Sequence, residues 1–230
     1  MSSVSARQPN PHTDAPKRRG RPPAYSLDDR RRMILEAAER VFVASGYGAA
    51  SMEEIARAAG MSKKTLYALY PDKRHIFGAL VGYAGEFPKS NAIRAQDPAQ
   101  IIAELRRRLL ELAAFALSPR QVEITRLVIS EAHHWPELAE EFHARGVTRG
   151  VSFIAECLEK LRDARPDIDI PDVHQTAVAL CGAAIGDFHF RVLLENGLVY
   201  PRDKLLAQVD LALRIVLPSE RALVTRRREK

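Results

Sequence analysis

The sequence predicts an all-α protein of about nine helices, with a short N-terminal group containing a helix-turn-helix and a larger helical region after it. Three observations carry that expectation. Apolar residues recur at three- to four-residue spacing from Ser26 to Leu217 and never alternate as they would on a half-buried strand. Helix start and stop residues bracket the periodic stretches: Ser26, Ser51, Ser62 and Asp97 before them, Gly46, Gly60, Pro71 and Asn196-Gly197 after them. Finally, Ser51 to Lys73, SMEEIARAAGMSKKTLYALYPDK, compresses two such stretches around a single glycine.

Taken in order, residues 1–25 read as a disordered basic arm, with five prolines and few large apolar side chains. Within it Lys17-Arg18-Arg19-Gly20-Arg21-Pro22 resembles the AT-hook, whose Arg-Gly-Arg-Pro core lies in a narrow A·T minor groove; Arg19 and Arg21 are its candidate contacts. A solvated tail that meets phosphates without preference is the other reading. Ser26 to Gly46 is the first helix, with Ile34, Ala37, Ala38, Val41 and Phe42 on one face. Ser51 and Glu54 form a capping box for the second, in which the hydroxyl and the carboxylate each take an orphan N–H. Gly60 suits a left-handed helix end, and Ser62 caps a third helix that stops near Pro71. A fourth starts at Asp72 and turns Ile76, Phe77, Leu80 and Val81 inward, with Gly78 and Gly82 marking a bend or a close approach.

From residue 98 the helices lengthen. The pattern predicts spans at 98–117, about 120–134, about 136–162, about 172–195 and 202–217. No apolar run approaches the roughly 20 residues that span a bilayer, and the N-terminus lacks the apolar core of a signal peptide, so the expectation is a cytoplasmic, nucleoid-associated protein with no membrane partner. A net charge of +6 and a pI near 9.5 favour a polyanionic partner. Two cysteines, Cys157 and Cys181, suit a reducing compartment.

A helix-turn-helix presents the start of its second helix to base edges in the major groove, which points to double-stranded DNA. The stretch from Ile34 to Leu80 also resembles the DNA-binding domain of the TetR family of bacterial transcriptional regulators. The shared features are ILEAAERVF, a Gly-Tyr pair, Met-Glu-Glu-Ile-Ala, Ala-Gly-Met-Ser, Thr-Leu-Tyr and Lys73. Arg126 to Ala132 followed by Trp135-Pro136-Glu137-Leu138 is similar to the AefR-like C-terminal domain of that family. The resemblance divides the chain into the arm, a helix-turn-helix DNA-binding domain at 26–84 (motif 51–70), a ligand-binding and dimerisation domain at 85–218, and a basic tail at 219–230. It implies a sequence-specific regulator, a repressor released from a palindromic operator by a small-molecule effector. Lys63, Lys64, Thr65, Tyr67 and Ala68 would face bases, while Ser51 and Lys73 would hold phosphates. Lys64 stands where the family often has glycine, and Leu69 where tyrosine or histidine often reaches a phosphate.

A homodimer is expected, because one reading head covers few base pairs. Ala179, Gly182, Ala183 and Gly186 form a small-residue stripe, and Leu205, Val209 and Leu213, with Val216, an apolar one, for a four-helix interface. Phe87, Phe115, Trp135, Phe153 and Phe188, with Phe190, are candidate effector contacts, since such sites have apolar walls. Arg126 and Glu131 are candidates for a buried structural pair. Two other readings stand beside this one. A nonspecific or A·T-preferring architectural binder would use the basic arm. A metal or redox sensor would use the histidines and cysteines, though no zinc-ligand spacing occurs and His133-His134 should diverge on a helix. No phosphate loop or nucleophile elbow appears, so neither enzymatic activity nor a cofactor is expected.

Overall fold

The computed structural model describes residues 25–82, 87–88 and 97–217, and every regular element among them is helical. The expectations for Arg19, Arg21 and the tail at 219–230 lie outside these residues. Helix α1 (Leu27–Ser45) starts at Ser26, whose hydroxyl accepts the Asp29 N–H at 3.0 Å. It ends at Gly46, whose φ of 82° no side-chain-bearing residue adopts readily. Helices α2 (Met52–Ala58), α3 (Lys63–Leu69) and α4 (Lys73–Gly82) complete the head. Its core is a triangle of Phe42, Tyr47 and Phe77 with ring centroids 5.3–6.2 Å apart, closed by Ile34, Ile55, Leu66 and Ile76.

The rest comprises α5 (Pro98–Ala116), α6 (Pro119–Glu131), α7 (Pro136–Phe142), α8 (Thr148–Ala164), α9 (Val173–Leu194) and α10 (Arg202–Val216). Proline opens α5, α6 and α7, a position whose N–H has no helical partner in any case. Between α7 and α8 the predicted single helix persists, but His143–Val147 winds as a π turn, one wider turn that sequence periodicity did not anticipate. Helices α5, α8, α9 and α10 enclose the main core around Leu105, Leu109, Ile154, Leu158 and Leu180. In it the fully buried Arg108 donates to the Phe153 carbonyl at 2.7 Å and to Glu104 and Glu156 at 3.0 and 2.8 Å.

The two regions share packing rather than meeting at a thin boundary. Leu127, Val128 and Leu138 of α6 and α7 belong to the head's core, and Arg120 of α6 grips Glu39 of α1 at 2.7 Å. Helix α9 corrects one expectation, being long and apolar enough to cross a membrane by length and composition. It packs on α8 and α10 instead, with only one side covered.

Candidate nucleic-acid interface and effector cavity

The motif forms as its local signals dictate. Ser51 Oγ accepts the Glu54 N–H at 3.2 Å, and Ser62 Oγ accepts the Thr65 N–H at 3.1 Å. At the end of α2 the Met61 N–H reaches the Ala56 carbonyl and the Gly60 N–H the Arg57 carbonyl, with Gly60 at φ 65°. That is the double-bonded left-handed helix end, and it aims α3 away from α2. Leu66 anchors α3 in the core, leaving Lys63, Lys64, Tyr67 and Ala68 exposed on its other side; Tyr67 is 47% exposed. Thr65 is half-buried, its hydroxyl 2.9 Å from that of Ser62. Tyr70 is half-buried too, and burial pushes its phenol pKa up. Lys63 sits 2.7 Å from Glu53, so its charge is partly offset by α2. Lys64 has no acidic partner within 4 Å among the described residues and is the more available cation for an anionic strand.

Lys73 corrects the expectation of a phosphate anchor. Its ammonium donates to the carbonyls of Tyr47, Gly48 and Ala50 at 2.8, 2.9 and 3.2 Å, which uses all three of its protons. It also lies 4.6 and 4.9 Å from the ring centres of Tyr47 and Trp135. Desolvation in this pocket pushes its pKa down. Lys73 is a strut for the turn between α1 and α2, and through Trp135 that turn meets the second region. Glu131 completes the junction by accepting the Gly48 N–H at 3.3 Å. A Cβ on Gly46 would lie 2.6 Å from that carboxylate, so the glycine admits it. Arg126 and Glu131 therefore do not pair: Arg126 donates to the Val192 and Leu193 carbonyls at the end of α9 and to Glu123. The signal for Glu131 and Trp135 was present in the quoted segment, but not the partner.

A cavity of about 270 Å³ opens between α5, α6, the π turn, α8 and α9. Of the aromatic candidates, Phe87 and Phe115 line it. Phe153 packs behind Phe87 at 5.6 Å, Trp135 belongs to the head's core, and Phe188 stacks on Tyr200 at 4.0 Å. Phe190 points to solvent. Sequence reasoning missed Gln121, Thr125, Phe142, Val147, Cys181 and His189, which also line the wall, alongside four glycines. No charged side chain is among its described lining residues. Burial pushes the Cys181 thiol up to about 12 and the His189 pKa down, so both stay neutral near pH 7. His189 Nε2 is buried without a hydrogen-bond partner.

The dimer expectation needs correction on α10. Leu205, Val209 and Leu213 are buried against their own chain, whereas Leu211 and Ile215 are exposed on the opposite side with Ala207. On α9 the expected Ala179, Gly182 and Gly186 are exposed, and Val178, Phe190 and Leu194 extend that stripe; Ala183 is half-buried. For a metal, no group of three or more His, Cys, Asp or Glu converges among the described residues. The His133 and His134 rings do not diverge but meet edge to face at 5.2 Å. Cys157 is fully buried with its thiol pushed up to about 11, far from a reactive thiolate.

Known proteins place this geometry. Residues 34–80 match the family described as bacterial regulatory proteins, tetR family, and residues 103–218, half of the chain, match the AefR-like transcriptional repressor C-terminal domain. Over 54 residues the chain is 46% identical to the HTH-type transcriptional activator FasR of Mycolicibacterium smegmatis, covering 24% of this chain and 25% of that protein. Over 70 residues it is 33% identical to the HTH-type transcriptional regulator YhgD of Bacillus subtilis, covering 30% and 37%. The chain thus matches little more than a third of these curated relatives at most. Among solved structures, the flavonoid-responsive regulator FrrA shares the fold at a TM-score of 0.68 and 23% identity, over 84% of this chain and 97% of that one.

Proposed function

Because the chain belongs to the TetR family of bacterial regulatory proteins, a family of DNA-binding transcriptional regulators rather than enzymes, we propose that it is a dimeric repressor whose operator affinity is set by an effector in the α5–α9 cavity. One observation carries the reading. The π turn contributes Gly146 and Val147 to the cavity wall, and the same turn packs on α4, the last helix of the head. A Cβ on Gly78 of α4 would lie 2.7 Å from the Glu141 carboxylate and 3.1 Å from Arg145, so the contact is close. A molecule that fills the cavity presses on an element touching α4. Wider turns of this kind recur at functional sites. Any preference of the effector for one position of α4 then changes DNA affinity, by typically 1–3 kcal/mol.

Lys64, Tyr67 and Ala68, with Lys63 and Thr65, would read the major groove, and Ser51 at the start of α2 would lie near the backbone. Helix α9 supports the dimer: its exposed side carries Val178, Ala179, Gly182, Gly186, Phe190 and Leu194, an apolar stripe that needs cover. A second copy covering Val178, Gly182, Gly186, Phe190, Leu211 and Ile215 supplies it. Repression rather than activation rests on the AefR-like repressor match over half of the chain, since the activator FasR aligns over 54 residues alone. The test is footprinting of genomic fragments beside light scattering, with wild type and Leu211→Glu. Wild type should be a dimer that protects one palindromic site with half-sites about 34–36 Å apart. The variant should be monomeric and lose that footprint. Broad protection of A·T-rich DNA, or a monomeric wild type, would overturn the proposal in favour of the architectural reading.

A further inference from the structure

The cavity and the exposed side of α9 share a stretch of wall. Gly182 and Gly186 line the cavity, and both are exposed to solvent. A Cβ on either would meet nothing within 4 Å, so no side chain of the described residues stands over them. The other two glycines of the wall are backed by the chain itself. A Cβ on Gly150 would lie 3.3 Å from Leu112, and one on Gly146 would lie 3.4 Å from Val81. Val147 of the π turn, also on the wall, is exposed like the α9 glycines. The cavity is therefore backed toward α5 and α4 and open between the π turn and α9.

The row of α9 that borders this open side is Val178, Gly182, Gly186, Phe190 and Leu194, one residue in every four. Residues at that spacing form a ridge on a helix, and two such ridges interdigitate in the commonest helix crossing. No charge interrupts the row. That suits a copy of the same chain, because a two-fold axis sets every surface group near it opposite its own kind. Helix axes come closest where the side chains between them are smallest, which puts the crossing at the glycine pair. With antiparallel helices and the axis midway between Gly182 and Gly186, each glycine faces the other glycine of the second copy. Val178 then faces Phe190 of the second copy. At about 1.5 Å per residue, each of these two lies about 6 Å along α9 from the nearer glycine.

Resting on the dimeric reading above, we propose that the cavity is a shared site, whose open side is closed by α9 of a second copy crossing Gly182 and Gly186. The second copy contributes backbone over the glycines and a Phe190 ring beside Val178. A molecule in the cavity touches both copies, so its binding and their pairing strengthen each other by the same factor. In a lone copy that side of the site is water.

Cys181 reports on the closure without any ligand. It lines the cavity next to Gly182 and is half-buried, whereas Cys157 is fully buried in the main core and serves as internal control. The experiment follows alkylation of each cysteine by N-ethylmaleimide in mildly alkaline buffer, read by peptide mass, in wild type and Leu211→Glu. Light scattering is run on the same samples. Dimeric wild type should label at Cys181 about tenfold more slowly than the monomeric variant, since the reagent reaches the wall only when the pair opens. Cys157 should stay unlabelled in both. Where the variant labels at Cys157 or still pairs, the reference is wild type diluted until it scatters as a monomer. Equal Cys181 rates in dimer and monomer would overturn the shared cavity and leave the dimer standing. A wild type that is monomeric at every concentration would fail the dimeric reading itself and take the shared cavity with it.

Discussion

Around Lys73 in the head, each proton of the ammonium has a carbonyl to meet; around His189 in the second region, a buried ring nitrogen has nothing. The same contrast runs through both regions. The head fills its centre with three touching aromatic rings, whereas the α5–α9 region leaves about 270 Å³ open. On the proposed reading, Lys64 and Tyr67 would have to be presented to DNA at a fixed angle, and the turn behind them is tied off completely. On the same reading, the second region would have to leave room for a ligand, and its cavity is what it leaves. The two meet at Trp135, Glu131 and the π turn, so the rigid part is held partly by residues of the adaptable one.

The hardest blow to that contrast is dealt at the junction. Trp135→Ala removes the ring that packs on Tyr47 at 5.7 Å and faces the Lys73 ammonium. Discounted for its partial exposure, the loss should be about 2–3 kcal/mol, seen as a lower denaturation midpoint. The head's exchange-protected amides should weaken with it. If the head's protection stays unchanged, the head stands on its own and the shared core of α6 and α7 is incidental.

A smaller effect separates strut from reader. Lys73→Met strands three carbonyls and should cost about 1–2 kcal/mol of stability, yet leave the salt dependence of DNA binding as it was. Lys64→Ala should do the reverse, with stability unchanged and the slope of log affinity against log salt reduced by about one unit per copy. Paired salt titrations and melts on the two variants check both halves. A reduced slope for Lys73→Met would return that residue to the phosphate contacts.

Much of the architecture was legible because helix ends are local events. Ser26, Ser51, Ser62 and Asp97 each cap the helix that follows, and Gly60 takes the positive φ its position suggested. What was illegible depends on distant partners. Lys73 reads as an exposed helix start, since the carbonyls it binds lie 23 to 26 residues earlier. Periodicity identified an apolar stripe on α10 but could not say which of two faces meets its own chain, so Leu205, Val209 and Leu213 were assigned outward while Leu211 and Ile215 are the exposed pair. The π turn escaped for a similar reason: His143 to Val147 carries ordinary helix-compatible residues, and the extra width accompanies packing on α4 and α8. At the cavity, of the aromatics sought only Phe87 and Phe115 line the wall, and four glycines join them, because a void is made partly by what is missing.

The mildest prediction bears on His189, where the second region departs most from the head. Burial holds its folded pKa below the 6.5 of an exposed imidazole. Between those two values the unfolded chain binds a proton that the folded chain refuses, so stability rises with pH and falls as the solution is acidified through that window. Cys181 on the same wall stays protonated throughout, its thiol pushed up to about 12, and none of the described lining residues carries a charge to complicate the titration. The melting temperature of wild type should therefore drop from pH 7.5 to pH 5.5 by more than that of His189→Leu, which removes this one contribution and leaves the remaining acid-sensitive groups alone. Identical pH profiles for the two proteins would mean that His189 is solvated in the native state and that the cavity is wetter than its walls suggest.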